Sequence, residues 1–132
     1  MLDNSIYNDF NNIVPKYLVD EFIFPLDSYR VFLDGLSIEH AFFFKKWSAN
    51  NRQSLFEKHC FQNTKLDWKW ALSFPLFSIL EKYVKYSHNP IIIGFSGLPG
   101  SGKSTLGFWI DNLARDLGLD IKVISLDDFY LP

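Results

Sequence analysis

Cysteine is almost missing from this chain. The 132 residues hold one, Cys60, which excludes an internal disulfide and a cysteine-based zinc site and fits a reducing compartment. Charge of one sign is missing too: 13 Lys and Arg against 15 Asp and Glu leave a net charge of −2. That balance argues against a nucleic-acid-binding surface. No apolar run approaches the roughly 20 residues needed to cross a bilayer. The amino terminus, Met1-Leu2-Asp3-Asn4, lacks the basic-then-apolar order of a secretion signal. The expectation is a soluble, cytoplasmic protein with neither a membrane nor a nucleic acid as partner. Histidine is scarce, and His40 and His88 stand without ligand spacing. No internal repeat or low-complexity segment is evident. What is plentiful is apolar surface: 48% hydrophobic residues suffice for the core of one domain, or of one small domain plus a piece of another.

Glycine is modest at seven residues, yet three of them fall within six positions. Gly97-Leu98-Pro99-Gly100-Ser101-Gly102-Lys103-Ser104 fits the P-loop pattern G-x-x-x-x-G-K-S/T at every fixed position. Glycines at 97, 100 and 102 are expected to adopt conformations closed to residues with a Cβ, so that successive N–H groups turn inward around phosphate oxygens. A helix starting there adds roughly half a positive charge. Pro99 has no N–H, so the donors expected are the amides of Gly100, Ser101, Gly102, Lys103, Ser104 and Thr105. Lys103 would reach the β and γ phosphates and the Ser104 hydroxyl would coordinate Mg²⁺. The ligand implied is a nucleoside triphosphate, ATP, with Mg²⁺. A plain glycine-rich turn capping a helix is the competing reading, but such a turn has no use for Lys and Ser directly after the second fixed glycine.

His88-Asn89-Pro90 divides the chain into a helical N-terminal region, residues 1–89, and the start of a nucleotide-binding domain, residues 90–132. In the first, helices are expected from Val14 to Phe24 and from Asp27 to Leu33. A third starts at Ser37 as N-cap, and a fourth starts at Asn51 with Leu55, Phe56, His59 and Cys60 inward. Another starts at Ser73, with Pro75 in its first turn and a Glu81/Lys85 pair on its outer side. In the second region, Ile91-Ile92-Ile93-Gly94-Phe95 reads as a buried parallel strand. Leu106, Trp109, Ile110, Leu113, Ala114 and Leu117 recur at helical spacing, Gly118 ends that helix, and residues 121–126 read as a second parallel strand. The fold class expected is α/β: the beginning of a parallel sheet in the order strand, P-loop, helix, strand.

Asp127 and Asp128 follow that second strand, at the carboxyl end where open α/β sheets bind ligands. Phosphoryl transfer needs charge neutralised on the γ-phosphate and an acceptor hydroxyl held in line, with an aspartate to take its proton. The bland alternative is a pair of turn-capping aspartates. Residues 92–105 together with Ser125-Leu126-Asp127-Asp128-Phe129-Tyr130 resemble the P-loop small-molecule kinases that include uridine kinase, phosphoribulokinase and pantothenate kinase. Within that group they look most like the glycerate 3-kinases and their relatives. The resemblance implies that Asp127 orients or deprotonates the acceptor hydroxyl, that Asp128 sits near Mg²⁺ or its waters, and that Tyr130 helps form the acceptor pocket. It also implies a second acidic strand end, an arginine-bearing lid and an adenine-binding loop in a C-terminal half beyond residue 132. The chain is therefore read as the N-terminal part of an ATP-dependent kinase for a small hydroxylated metabolite, glycerate first, and is not expected to turn over alone. A nucleotide-driven switch and a non-catalytic fragment that binds nucleotide weakly are the alternatives.

Three further features resolve to packing. His59-Cys60 is read as two helix-face residues rather than a nucleophile and its base, since adjacent helical residues diverge by about 100°. Trp68-Lys69-Trp70 is read as core. Phe42-Phe43-Phe44 cannot bury every ring on one helix face, so one ring is expected against the glycine loop or against something outside the chain.

Overall fold

The computed structural model describes residues 4–59, 64–98 and 100–130; the side chains of residues 4–8, 127 and 128 lie outside this description, as do Cys60, Pro99 and the last two residues. Helices α1 (Asn4–Ile13), α2 (Lys16–Glu21), α3 (Leu26–Gly35), α4 (His40–Ser48) and α5 (Asn50–His59) come first. A π-helical turn (Trp68–Ser73) then runs directly into α6 (Phe74–Tyr86). Helix α7 (Lys103–Asp116) and a 3₁₀ turn (Leu126–Phe129) complete the described elements.

The expected α/β class is overturned. Among the described residues there is no strand and no sheet, and the fold is all-helical. Residues 91–95 and 121–125 belong to no helix or strand, and Ile92 is 96% exposed. A strand is completed by a neighbour that takes its N–H and C=O groups in a regular ladder, and among the described residues neither segment is part of one. Leu126, expected at the end of the second strand, belongs instead to the 3₁₀ turn.

What α7 packs on is the helical layer. Leu106, Trp109, Ile110, Leu113 and Ala114 form its buried face and share one core with Leu18, Leu33, Phe43, Trp47, Phe56, Trp70, Phe74 and Phe77. The core is aromatic at its centre: Trp47 stacks on Phe74 at 4.3 Å, and Trp109 lies 5.5 Å from Phe56 and 5.6 Å from Phe77. Two polar groups carried inward find partners. Tyr29 Oη donates to the Trp70 carbonyl at 2.7 Å, with burial pushing its pKa up, and Trp47 Nε1 donates to Ser78 Oγ at 2.8 Å.

Several local expectations shift. Ser37 does not cap α4; it follows α3 with φ 56°, and the Ser37 and Ile38 amides close that helix on the Asp34 and Leu33 carbonyls. Glu39 caps α4 instead, accepting from the Ala41 and Phe42 amides. Ser73 is not a cap either, since it sits in unbroken helical backbone and donates to the Trp68 carbonyl. The wide π turn accommodates Pro75, whose ring would crowd an ordinary turn. Of the three phenylalanines, Phe43 and Phe44 pack near Trp70, while Phe42 is exposed beside Lys46.

Glu81, expected outside, is buried. Arg52 grips both of its oxygens at 2.9 and 2.8 Å and Lys46 reaches it at 2.9 Å. Burial opposes its ionisation, but the Arg52 and Lys46 hydrogen bonds outweigh burial and hold its carboxyl below the usual range. A depressed carboxylate stabilises the fold above its unfolded pKa of about 4.3 and loses that contribution as pH falls through the folded value. Glu81→Gln should therefore lower stability near neutrality by about 1–3 kcal/mol and flatten the acid limb of the stability curve. Urea unfolding at a series of pH values checks both.

Candidate functional site

The glycine loop owes its shape to two residues in the left-handed region, Gly100 at φ 79° and Gly102 at φ 94°. Gly97 is different, and here the expectation is corrected: its φ lies outside that region. A Cβ there would instead stand 2.8 Å from Ser101 Oγ and 3.5 Å from Lys103 Cδ. Gly97 thus leaves room for the loop to fold over itself. The Ser101 amide donates to the Leu98 carbonyl at 3.1 Å, closing the turn.

Helix α7 starts from Gly102, and no side chain caps it. Its first intrahelical bond runs from the Leu106 amide to the Gly102 carbonyl at 2.9 Å. The amides of Lys103, Ser104 and Thr105 precede that bond, so their donors have no acceptor one helical turn back. Lys103 Nζ curls back to donate to the Gly97 carbonyl at 2.5 Å. The structure thus brings Gly97, Leu98 and residues 100–105 together, with uncapped amides, a hydroxyl and an ammonium group. Such a set can bind an anion at the positive end of the helix dipole.

Asp127 and Asp128 have their backbone in the 3₁₀ turn, and Tyr130, just beyond it, is exposed. The segment leading to that turn is held by Ile121, which packs on the core, and by Val123, which passes close over Gly107 of α7. Gly107 went unremarked in the sequence; a lone glycine inside a helical pattern was its signal. At the far end of α7, His59 and Lys58 both reach Asp116, at 2.5 and 3.3 Å. The His59 hydrogen bond, with help from Lys58, holds the Asp116 carboxyl below its ordinary value. His59 thus ties α5 to α7.

Other places offer less. An open groove of about 330 Å³ is lined by Ile13, Pro15, Ala41, Phe44, Lys45 and Ser48, none of them a predicted site residue. Among the described residues no group of His, Cys, Asp and Glu could hold a metal ion, and no helix is long and apolar enough to cross a membrane.

The chain has partial similarity to kinases. Over 56 residues, 42% of this chain, it is 43% identical to "Uncharacterized kinase mug58" of Schizosaccharomyces pombe. Over 42 residues, 32% of this chain, it is 48% identical to the chloroplastic D-glycerate 3-kinase of Arabidopsis thaliana. The matches span 20% and 9% of those proteins' lengths. No family model and no solved structure matches the chain.

Proposed function

We propose that residues 97–105 bind the phosphates of ATP with Mg²⁺, and that the chain supplies this part of a kinase acting on a hydroxyl of a small metabolite, with glycerate the first acceptor to try. The observation that carries the reading is local. Left-handed Gly100 and Gly102 lead into an uncapped helix whose first two residues are Lys103 and Ser104. The similarity to a kinase named for glycerate directs the choice of acceptor.

In this reading the amides of the loop and of the first turn of α7 donate to phosphate oxygens. The Ser104 hydroxyl and Asp128 hold Mg²⁺, which would neutralise charge on the transferred group. Lys103 exchanges the Gly97 carbonyl for the β and γ phosphates, so a donor already spent within the loop is turned outward. Asp127 orients the acceptor hydroxyl and takes its proton, while Tyr130 borders the acceptor.

Lys103→Ala should weaken ATP binding by about 1.5–3 kcal/mol, the range for a hydrogen bond to a charged group. Calorimetry on the folded variant measures it. Equal affinity in variant and parent would reduce the loop to a helix-capping turn.

A further inference from the structure

Gly107 sits in the second turn of a 14-residue helix, where glycine costs about 0.8–1 kcal/mol relative to alanine. Its place in the fold explains its use. A Cβ built there would stand 3.0 Å from Val123 Cγ1, about 0.5–1 Å inside the optimal separation of two carbons. Among the described residues, no other neighbour outside the helix's own backbone approaches that position within 4 Å. The contact singled out is therefore with the segment that carries the acidic turn.

Position along the helix gives the contact its meaning. Gly107 lies four residues after Lys103 and three after Ser104, so all three share one side of α7. The segment crossing Gly107 thus meets the side of α7 that carries Lys103 and Ser104 one turn earlier. That segment is anchored on its N-terminal side, where Ile121 packs on the core. Val123 turns towards α7 as well, since its Cγ1 is the atom that a Cβ at 107 would meet. Exposure agrees: Val123 is 43% and Ile124 is 67% exposed. Val123 cannot swing aside freely, because its branched Cβ restricts χ1. A methyl group at 107 would lift the segment on its less anchored side, towards Leu126–Phe129.

We propose that Gly107 is a positioning residue: its missing side chain lets Val123 pass close over α7 and so sets the path by which the segment reaches the turn that carries Asp127 and Asp128. The role rests on the assignment of Asp128 to Mg²⁺ given above. It makes the metal-dependent part of nucleotide affinity sensitive to position 107, while metal-free affinity, which belongs to the loop, is not.

The test measures ATP affinity by calorimetry with Mg²⁺ and with EDTA, in the parent chain, Gly107→Ala, Gly107→Val and Gly107→Ala/Val123→Ala. Thermal unfolding by circular dichroism runs alongside. The expected result is a parent whose ATP affinity rises with Mg²⁺. Gly107→Ala keeps metal-free affinity within twofold but loses threefold or more of the Mg²⁺ gain, and Gly107→Val loses more. The double variant, with the opposing methyl groups removed, recovers the gain. A merely structural role predicts otherwise, since alanine raises helix propensity and leaves the gain untouched. Folded single variants that keep the full Mg²⁺ gain would overturn the positioning role alone. Absence of ATP binding by the parent would overturn the nucleotide-binding reading and this role with it.

Discussion

Asp127→Asn should lower acceptor-dependent phosphoryl transfer by about 10² to 10⁴ and leave ATP affinity within about twofold, because general-base assistance acts in the transition state. Asparagine keeps the size and most of the polarity of aspartate but cannot take a proton, so the substitution separates chemistry from shape. Transfer depends chiefly on positioning and charge, with one carboxylate left to receive the acceptor's proton. Asp128→Asn should behave differently, weakening the response to Mg²⁺ before it slows the chemistry. The measurement is ADP release with glycerate present and absent, in a polypeptide that contains these 132 residues and turns over. A large loss in Asp128→Asn alongside a near-normal Asp127→Asn would exchange the two roles. Equal ADP release with and without acceptor would instead favour a nucleotide-driven switch.

The parts of this chain that were legible in sequence are those decided within a few residues. The turn from Gly97 into α7 follows from two glycines that accept positive φ and from apolar residues at helical spacing, both visible in one short window. Gly118 closes α7 as expected, in the left-handed region, with Leu119 bonding back to Ala114. The sheet was misread because Ile91, Ile92 and Ile93 report only that apolar surface is present. Pairing is a property of a distant partner, which no local pattern supplies. Glu81 was misplaced for a related reason. Four-residue spacing to Lys85 suggests an exposed pair, while the Arg52 and Lys46 groups that make its burial tolerable come from other helices. Gly97 shows the opposite case: glycine was required, but for space beside Ser101 rather than for backbone freedom. In the candidate site, then, the loop was visible and its tether to the acidic turn was not, because Gly107 and Val123 meet across sixteen positions of sequence.

Trp109→Ala should destabilise the fold by about 3–5 kcal/mol, a large share of the roughly 5–15 kcal/mol available to a domain. Trp109 is 1% exposed and stands where the two regions of the chain meet. Besides Phe56 and Phe77, its ring approaches Trp47 at 6.4 Å and Trp68 at 6.0 Å, so four segments close around one side chain of α7. Truncation removes the apolar contact and leaves a cavity that rigid aromatic neighbours, stacked as Trp47 and Phe74 are, cannot collapse to fill. Its indole N–H is buried with no hydrogen-bond acceptor among the described residues, which gives a control. Trp109→Phe keeps an aromatic ring and removes the unpaired donor, and should cost clearly less than Trp109→Ala. Urea unfolding followed by circular dichroism orders the two. The consequence reaches the loop, because Trp109 is six residues after Lys103 on the helix whose first turn presents the amides. If ATP binds there, a saturating concentration should raise the unfolding midpoint of Trp109→Ala, as any ligand specific to the folded state does. A loss below about 1 kcal/mol for Trp109→Ala would mean that the aromatic layer does not hold α7, and the helical region would then have no part in shaping the site.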